Sequence, residues 1–416
     1  MFQNPAREYP IDNASILFLS LLRPHHSNSF RFSATLDRPV CPKSLQEAVN
    51  RVSCRFPLVF SALRQDFFHF RQVPAEQPPV VQQDPGILVP MGREELRRCG
   101  YRVYYRGNTV SVELFHALTD GFGAIATFSA MLVEYHQILG TQAGPGVNLP
   151  SLQLGQVQKY ELEDSYENLT HLKPRRIPSR FSYLLPRPTD ADWKIRTSTL
   201  SMSSKTLLDA AHRYGVTLNT LLTTILASTV MDMQLEKQGR KKLKPVRIMV
   251  PVNVRKLARS RTLRNCSLYT LPTMEVSDRK LSFRDLCDSF GKQIKEQMTP
   301  EIQGGMASAN VRTQNAWYFK ILPWKLKSAC LRLGYRFFGE SNSSLTLTNL
   351  GIVNLPEELK DRVVDFQCWM TPRVTSPYGC TILSFGDQLR LNMSRFCPTD
   401  ELGNRYFSAI RKIVEA

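Results

Sequence analysis

The segment from Tyr101 to Gly140 constrains this chain more than any other. It opens with YRVYYRGNTVSVELF, in which apolar and polar residues alternate on both sides of Gly107-Asn108. A two-residue Gly-Asn loop between alternating runs predicts a β-hairpin. The next residues, HALTDGFGA, break the alternation, and Ala124, Phe128, Leu132 and Tyr135 then recur at helical spacing as far as Gly140. If the pleat continues past Leu114, His116 shares the inward parity of Val110, Val112 and Leu114. A sheltered imidazole at a strand end can accept a proton near neutral pH. Asp120 stands where the helix begins and can cap its first N–H groups, while Gly121 and Gly123 permit a tight turn. A satisfied core histidine with a cap and two turn glycines fits the same spacing. Periodicity does not choose between the two.

At 416 residues the chain exceeds one typical core, so two domains of roughly 150–200 residues are expected. In the first half, ILFLSLL and FRFSATL read as strands. CPKSLQEAVNRVSCRFP reads as a helix with Leu45, Ala48, Val49 and Val52 on one face, stopped by Pro57. LVFSALRQDFFHFRQV returns to strand character. Residues 140–195 are Pro-rich, charged and aperiodic, the composition of an interdomain linker. The expected division is a first lobe over 1–175, a linker over 176–195 and a second lobe over 196–416. From TSTLSMS onward the same grammar restarts: two helices, the strand RIMVPVNVR, helical material from 281 to 339, and strands in SSLTLTNLGIV, GCTILSFGDQ and LRLNMSRF before a closing helix. The fold class is therefore α/β, with two lobes of one architecture.

Several function classes drop out. Nine scattered cysteines without a C-x-x-C pair predict reduced thiols, no metal site and a cytoplasmic protein. No apolar run reaches the ~20 residues of a bilayer span, and no leader is evident in MFQNPAREYPIDN. The N-x-S/T triplets, Asn265 among them, then read as chance matches. There is no G-x-S-x-G elbow, Walker A loop or H-E-x-x-H. Gly121-Phe-Gly123-Ala-Ile-Ala126 has the shape of a dinucleotide fingerprint, but no second strand ending in an acid follows about 20 residues later. The net charge of +18 is partly concentrated in residues 236–264, where eleven basic residues face one acid. Such a field attracts phosphates, or simply solubilises a face. It carries no nucleic-acid module, so no nucleic-acid partner is expected.

His116-Ala-Leu-Thr-Asp120-Gly121 resembles the H-x-x-x-D-G motif of the coenzyme A-dependent acyltransferases, the superfamily of chloramphenicol acetyltransferase, condensation domains and alcohol O-acetyltransferases. The rest of the chain is similar in order: FPLVFSALRQDFFHF, PVNVRK with NCSLYTLP, LTNLGIVNLP and LRLNMSRF. The resemblance is closest to bacterial alcohol acetyltransferase-like proteins. It implies two chloramphenicol acetyltransferase-like lobes, an α+β sandwich, with a tunnel between them. His116 would deprotonate the hydroxyl of a small alcohol acceptor, which attacks the thioester of acyl-CoA, a cosubstrate and not a bound cofactor. Asp120 would turn away from the base and pair with an arginine, for which Arg255 is the candidate; Gly121 would shape the loop. An oxyanion donor is required on physical grounds, with Thr348 and Asn349 as candidates. Lys241, Lys242, Lys244, Lys256, Arg259 and Arg261 are candidates for the phosphates of CoA. Phe115 stands where condensation domains carry the first of two consecutive histidines, which argues against a carrier-protein partner. A non-catalytic or condensation-domain-like binding protein on the same fold is the alternative. The stretch WYFKILPWKLKSACLRLGYRFF, within residues 300–340, could serve as core, tunnel lid or a helix on a membrane surface.

Overall fold

The hairpin and the flanking helical patterns of the first half supply four strands of a five-stranded sheet and the two helices that back it. The computed structural model describes residues 8–142, 144, 157–186, 193–239 and 243–415, the side chains of Phe338 and Glu340 excepted. Its first elements are β1 (Tyr9–Pro10), α1 (Ser15–Ser20), β2 (Ser29–Leu36), α2 (Pro42–Arg55), β3 (Ser61–Gln65) and β4 (Phe70–Pro74). They continue with β5 (Val81–Gln83), α3 (Arg93–Leu96), β6 (Tyr101–Arg106), β7 (Thr109–Phe115) and α4 (Gly121–Ile138). In register, Phe30, Phe32 and Ala34 of β2 stand opposite Leu114, Val112 and Val110 of β7. This row packs with Leu45, Ala48, Val49 and Val52 of α2 and with Ala124, Phe128, Leu132 and Tyr135 of α4. Full burial of each larger apolar side chain contributes about 1.5–3 kcal/mol. That row therefore dominates the lobe's stability and fixes where β7 ends.

The second half runs β8 (Arg196–Ser203), α5 (Ser204–Arg213), α6 (Leu218–Gln238), β9 (Val246–Asn253), α7 (Arg255–Ala258), β10 (Ser267–Thr270) and β11 (Thr273–Met274). Four helices follow: α8 (Phe283–Gln297), α9 (Pro300–Asn315), α10 (Trp317–Lys320) and α11 (Trp324–Phe338). The chain closes with β12 (Leu345–Ile352), β13 (Val363–Met370), β14 (Tyr378–Phe385), β15 (Gln388–Arg395) and α12 (Glu401–Glu415). Seven strands form one sheet in the order β10-β9-β12-β14-β15-β8, with β11 also on β9; β9, β12 and β14 run parallel. The nearly all-round burial of α6 reflects its place in this core, between the sheet and α12.

Three features depart from the reading of the sequence. ILFLSLL is not a strand: Ser15–Ser20 is helical, and Asp12 accepts the amide of Ser15 at its start (2.8 Å). VVDFQCWM, which drew no strand assignment, forms β13 and joins the first sheet, in the order β13-β2-β7-β6-β5. On its other side β13 is fastened to the second sheet, where Asn392 Nδ2 donates to the Cys368 carbonyl (3.0 Å) and the Thr381 and Ser394 hydroxyls donate to the Cys368 and Met370 carbonyls. Finally, residues 157–169, linker-like in composition, are packed. Glu161 takes both arms of the buried Arg55 (2.7 and 2.7 Å), and the buried Tyr166 ring bonds both backbone groups of Ser267. Of the expected linker, residues 187–192 lie outside the described residues.

Gly334 stands in the interior of α11, and a Cβ added there meets nothing within 4 Å. Gly334→Ala is expected to stabilise by about 0.5–1 kcal/mol, because glycine loses more backbone freedom on folding. A raised urea midpoint is the expected reading; a lowered one contradicts it.

Candidate active site

The corner after β7 is set by backbone bonds at both ends. His116 N donates to Asn28 O (2.8 Å) and Leu118 N to Phe115 O (3.0 Å), so the chain leaves the sheet just as the imidazole is presented. Asp120 then caps α4 by accepting the amide of Gly123 (3.2 Å). A Cβ on Gly123 would lie 2.3 Å from the backbone oxygen of Leu263 and 2.2 Å from Thr119 Oγ1, so only glycine lets the segment 262–267 approach. A Cβ on Gly121 would meet Leu350 Cδ2 at 2.4 Å, which places the far end of β12 against the same corner.

Asp120 and Arg255 come together across the two halves of the chain. The guanidinium forks onto the carboxylate at 2.8 and 2.8 Å, and both side chains are buried. Cys266 N (2.9 Å) and Ser267 Oγ (3.0 Å) complete the carboxylate's shell. The remaining Arg255 donors go to the carbonyls of Thr262 (2.8 Å) and Arg264 (2.7 Å) and to Asn253 Oδ1 (3.4 Å), and the Phe122 ring lies 4.4 Å from the guanidinium carbon. Burial pushes the Asp120 carboxyl up, but the Arg255 charge and the hydrogen bonds outweigh it and hold it below the usual carboxylate range. The carboxylate is fully engaged in tying the corner to residues 255–267.

His116 is half-buried between two phenylalanines: Phe18 of α1 stacks on it at 4.1 Å and Phe30 meets it edge-on at 5.0 Å. Its Nδ1 lies 3.1 Å from Asn265 Oδ1. The orientation of that carboxamide follows from its other neighbours. Asn265 Nδ2 donates to the His116 carbonyl (3.0 Å), to Asp12 Oδ2 (3.3 Å) and toward Ser15 Oγ (3.3 Å). Turned over, it would aim its oxygen at a carbonyl and at a carboxylate, neither of which can donate. Asn265 Oδ1 therefore accepts from Nδ1–H, and the neutral ring carries its lone pair on Nε2. Asp12 is anchored in turn by Ser15 Oγ (2.7 Å) and by the nearby Arg264 Nε (3.7 Å). Burial lowers the His116 pKa below its ordinary 6.5, and the Asp120 and Asp12 charges and the Asn265 bond offset this only in part. A neutral, oriented imidazole with Nε2 directed away from its hydrogen-bonded partner can act as a general base.

Asn265, Asp12, Ser15 and Phe18 were not among the residues singled out from the sequence. Asn265 was visible only as part of an Asn-Cys-Ser triplet, and the other three lie in segments without a motif. Thr348 and Asn349 lie on β12, next to Leu350; Thr348 Oγ1 is 3.9 Å from Met370 Sδ, and Asn349 Oδ1 accepts the Gly351 amide (2.9 Å). Lys256, Arg259 and Arg261 are exposed on the loop that begins with Arg255. Lys244 is exposed at the opposite end of β9, roughly 25 Å away at about 3.3 Å per strand residue. Lys241 and Lys242 lie outside the described residues. The basic candidates therefore do not form one cluster.

No family model matches the sequence, and no curated protein matches it. The likeness lies in the fold. A trichothecene 15-O-acetyltransferase from Fusarium sporotrichioides superimposes with a TM-score of 0.61 at 10% identity, over 100% of this chain and 97% of that one. TRI101 of F. graminearum, solved with coenzyme A and T-2 mycotoxin, gives 0.62 at 13% identity, over 96% and 97% of the two chains. The first condensation domain of the CDA synthetase gives 0.61 at 13% identity, over 99% and 97%. The chain thus has the two-lobed α/β fold shared by coenzyme A-dependent acyltransferases and condensation domains.

Proposed function

We propose that the protein is an acyl-CoA-dependent O-acyltransferase that moves an acetyl group from acetyl-CoA to an alcohol or hydroxylated metabolite, with His116 as general base. The observation that carries this reading is the imidazole itself: neutral, locked by Asn265 through Nδ1, with the lone pair left on Nε2. The acceptor hydroxyl gives its proton to Nε2 as its oxygen attacks the thioester carbonyl. The tetrahedral intermediate then collapses, the C–S bond breaks, and the imidazolium returns the proton to the departing thiolate. No covalent enzyme intermediate is needed. Asp120 is a positioning residue, because its carboxylate is taken up by Arg255, the 262–267 segment and the Gly123 amide it caps. The Thr348 hydroxyl and the Asn349 amide nitrogen are the candidate oxyanion donors, and Lys256, Arg259 and Arg261 are the candidates for CoA phosphates. Phe115, in place of the first of the two consecutive histidines of condensation domains, supports free acyl-CoA over a carrier-bound donor.

Incubation with acetyl-CoA and a mixed pool of hydroxylated metabolites is expected to release free CoA and give an O-acetyl product by mass spectrometry. Release of CoA without an acylated product, or no release across the pool, contradicts the proposal. The pH profile carries a second reading. A base with a depressed pKa stays unprotonated above that value, so kcat/KM is expected to hold as pH falls through 6.5 and to be lost only below it. A half-loss at or above pH 6.5 would show a different base.

A further inference from the structure

Helix α11 is inside out. Its buried residues are Trp324, Lys327 and Ser328, while Leu326, Leu333 and Phe337 are 56%, 60% and 49% exposed. With Cys330, also exposed, these lie at i, i+4, i+7 and i+11, one continuous apolar stripe along the outer face. Lys325 and Arg336 are exposed on the flank of that stripe. The inner face is held by polar contacts: Lys327 Nζ donates to Phe68 O (3.1 Å), Ser328 Oγ to Ser20 O (3.4 Å), and Arg332 Nη1 to the same carbonyl (3.3 Å). The preceding α10 extends the outer face, with Trp317 and Tyr318 73% and 57% exposed, followed by Ile321 at 61%. At its other end Phe67 is 69% exposed, on a loop whose carbonyl receives the amide of Trp324 (2.9 Å).

We propose that this outer face of α10 and α11 seats the protein on an anionic lipid bilayer surface, with α11 lying in the interfacial plane. Charge selects the occupant. Residues 317–338 contain no acid, and Lys320, Lys325 and Arg336 are exposed along them. A second copy docked through the same face would bring these like charges together, since a twofold contact is self-complementary. An anionic headgroup layer instead attracts each of them, and exposed aliphatic side chains with Trp and Tyr beside Lys and Arg are the composition that settles at the acyl–headgroup boundary. The acid on the neighbouring loop, Asp66, is engaged by the amides of Phe68 and His69. No single helix among the described residues is long and apolar enough to cross a membrane, so the contact is with its surface. The seat lies close to the base: α11 packs on α1 through Ser20, and α1 carries the Phe18 that stacks on His116.

Vesicle sedimentation tests this without requiring any catalytic activity. The full-length protein is incubated at about 0.15 M salt with phosphatidylcholine vesicles, with or without about one third phosphatidylglycerol. The native protein is expected to pellet with the anionic vesicles at least about tenfold more strongly than with the neutral ones. Lys320→Glu/Lys325→Glu/Arg336→Glu should lower that binding at least about tenfold, as should Leu326→Gln/Leu333→Gln, with melting midpoints held because all five side chains are exposed. Native protein left in the supernatant with anionic vesicles would overturn the proposal. So would a Leu326→Gln/Leu333→Gln variant that pellets like the native chain. A native dimer that the same leucine changes convert to monomer would reassign the face to contact between copies.

Discussion

Replacing His116 with alanine is expected to cut turnover by about 10²–10⁴-fold, the usual contribution of a positioned general base. Thiol release from acetyl-CoA in the presence of an accepted alcohol is the assay. The substitution leaves Phe18, Phe30 and the Asn265 network around a vacated site, and the loss of one hydrogen bond there costs about 1 kcal/mol, so the fold should survive. Asn265→Ala removes the group that fixes the tautomer but keeps the base, and its turnover is expected to fall between the native and His116→Ala values. If Asn265 only supports the fold, its removal would shift the melting midpoint and leave turnover per folded molecule unchanged. Undiminished transfer by His116→Ala would remove the proposed mechanism altogether.

The second large effect is on stability. Arg255→Met deprives a buried carboxylate of its cation, and breaking one side of a buried ion pair costs about 3–5 kcal/mol. Asp120→Ala strands the guanidinium instead and is expected to cost a similar amount. Urea midpoints of the two single variants and the double variant measure this, with the double expected to be less damaged than the sum of the singles. The acid dependence follows from the depressed Asp120 pKa. The contribution is fully present above the ordinary carboxyl value of 3.8 and is lost as pH falls through the lower folded value, so it bears on acid unfolding and not on the neutral range. An Asp120→Ala protein with a native midpoint and no activity would contradict the positioning role.

The parts of the fold legible in the sequence are those whose partners are near in the chain. The hairpin at Gly107-Asn108, the face of α2 and the capped start of α4 each rest on local chemistry, and each stands where the residues place it. The helix Ser15–Ser20 was read as a strand because its apolar run is too short to show a period, and the groups around Asp12 that shape it, Asn265 and Arg264, lie about 250 residues away. A separation of 149 residues likewise hid Asn265 as the partner of His116. β13 alternates only over Asp365–Cys368, between the apolar pairs Val363-Val364 and Trp369-Met370, too short a run to stand out in the sequence. For the corner itself, parity put His116 on the inward side, and only the three-dimensional contacts say which nitrogen is left to act.

The position of β13 has a consequence for how the chain is made. β2 is made well before β13, so its outer edge of backbone N–H and C=O groups is at first unpaired. Val363 emerges from the ribosome roughly 330 residues after Leu36, a wait of roughly 15–65 s at about 5–20 residues per second. Through that interval the nascent first lobe presents a strand edge that the finished protein closes. Until residue 363 is made, that open edge of β2 is where the nascent chain can pair wrongly.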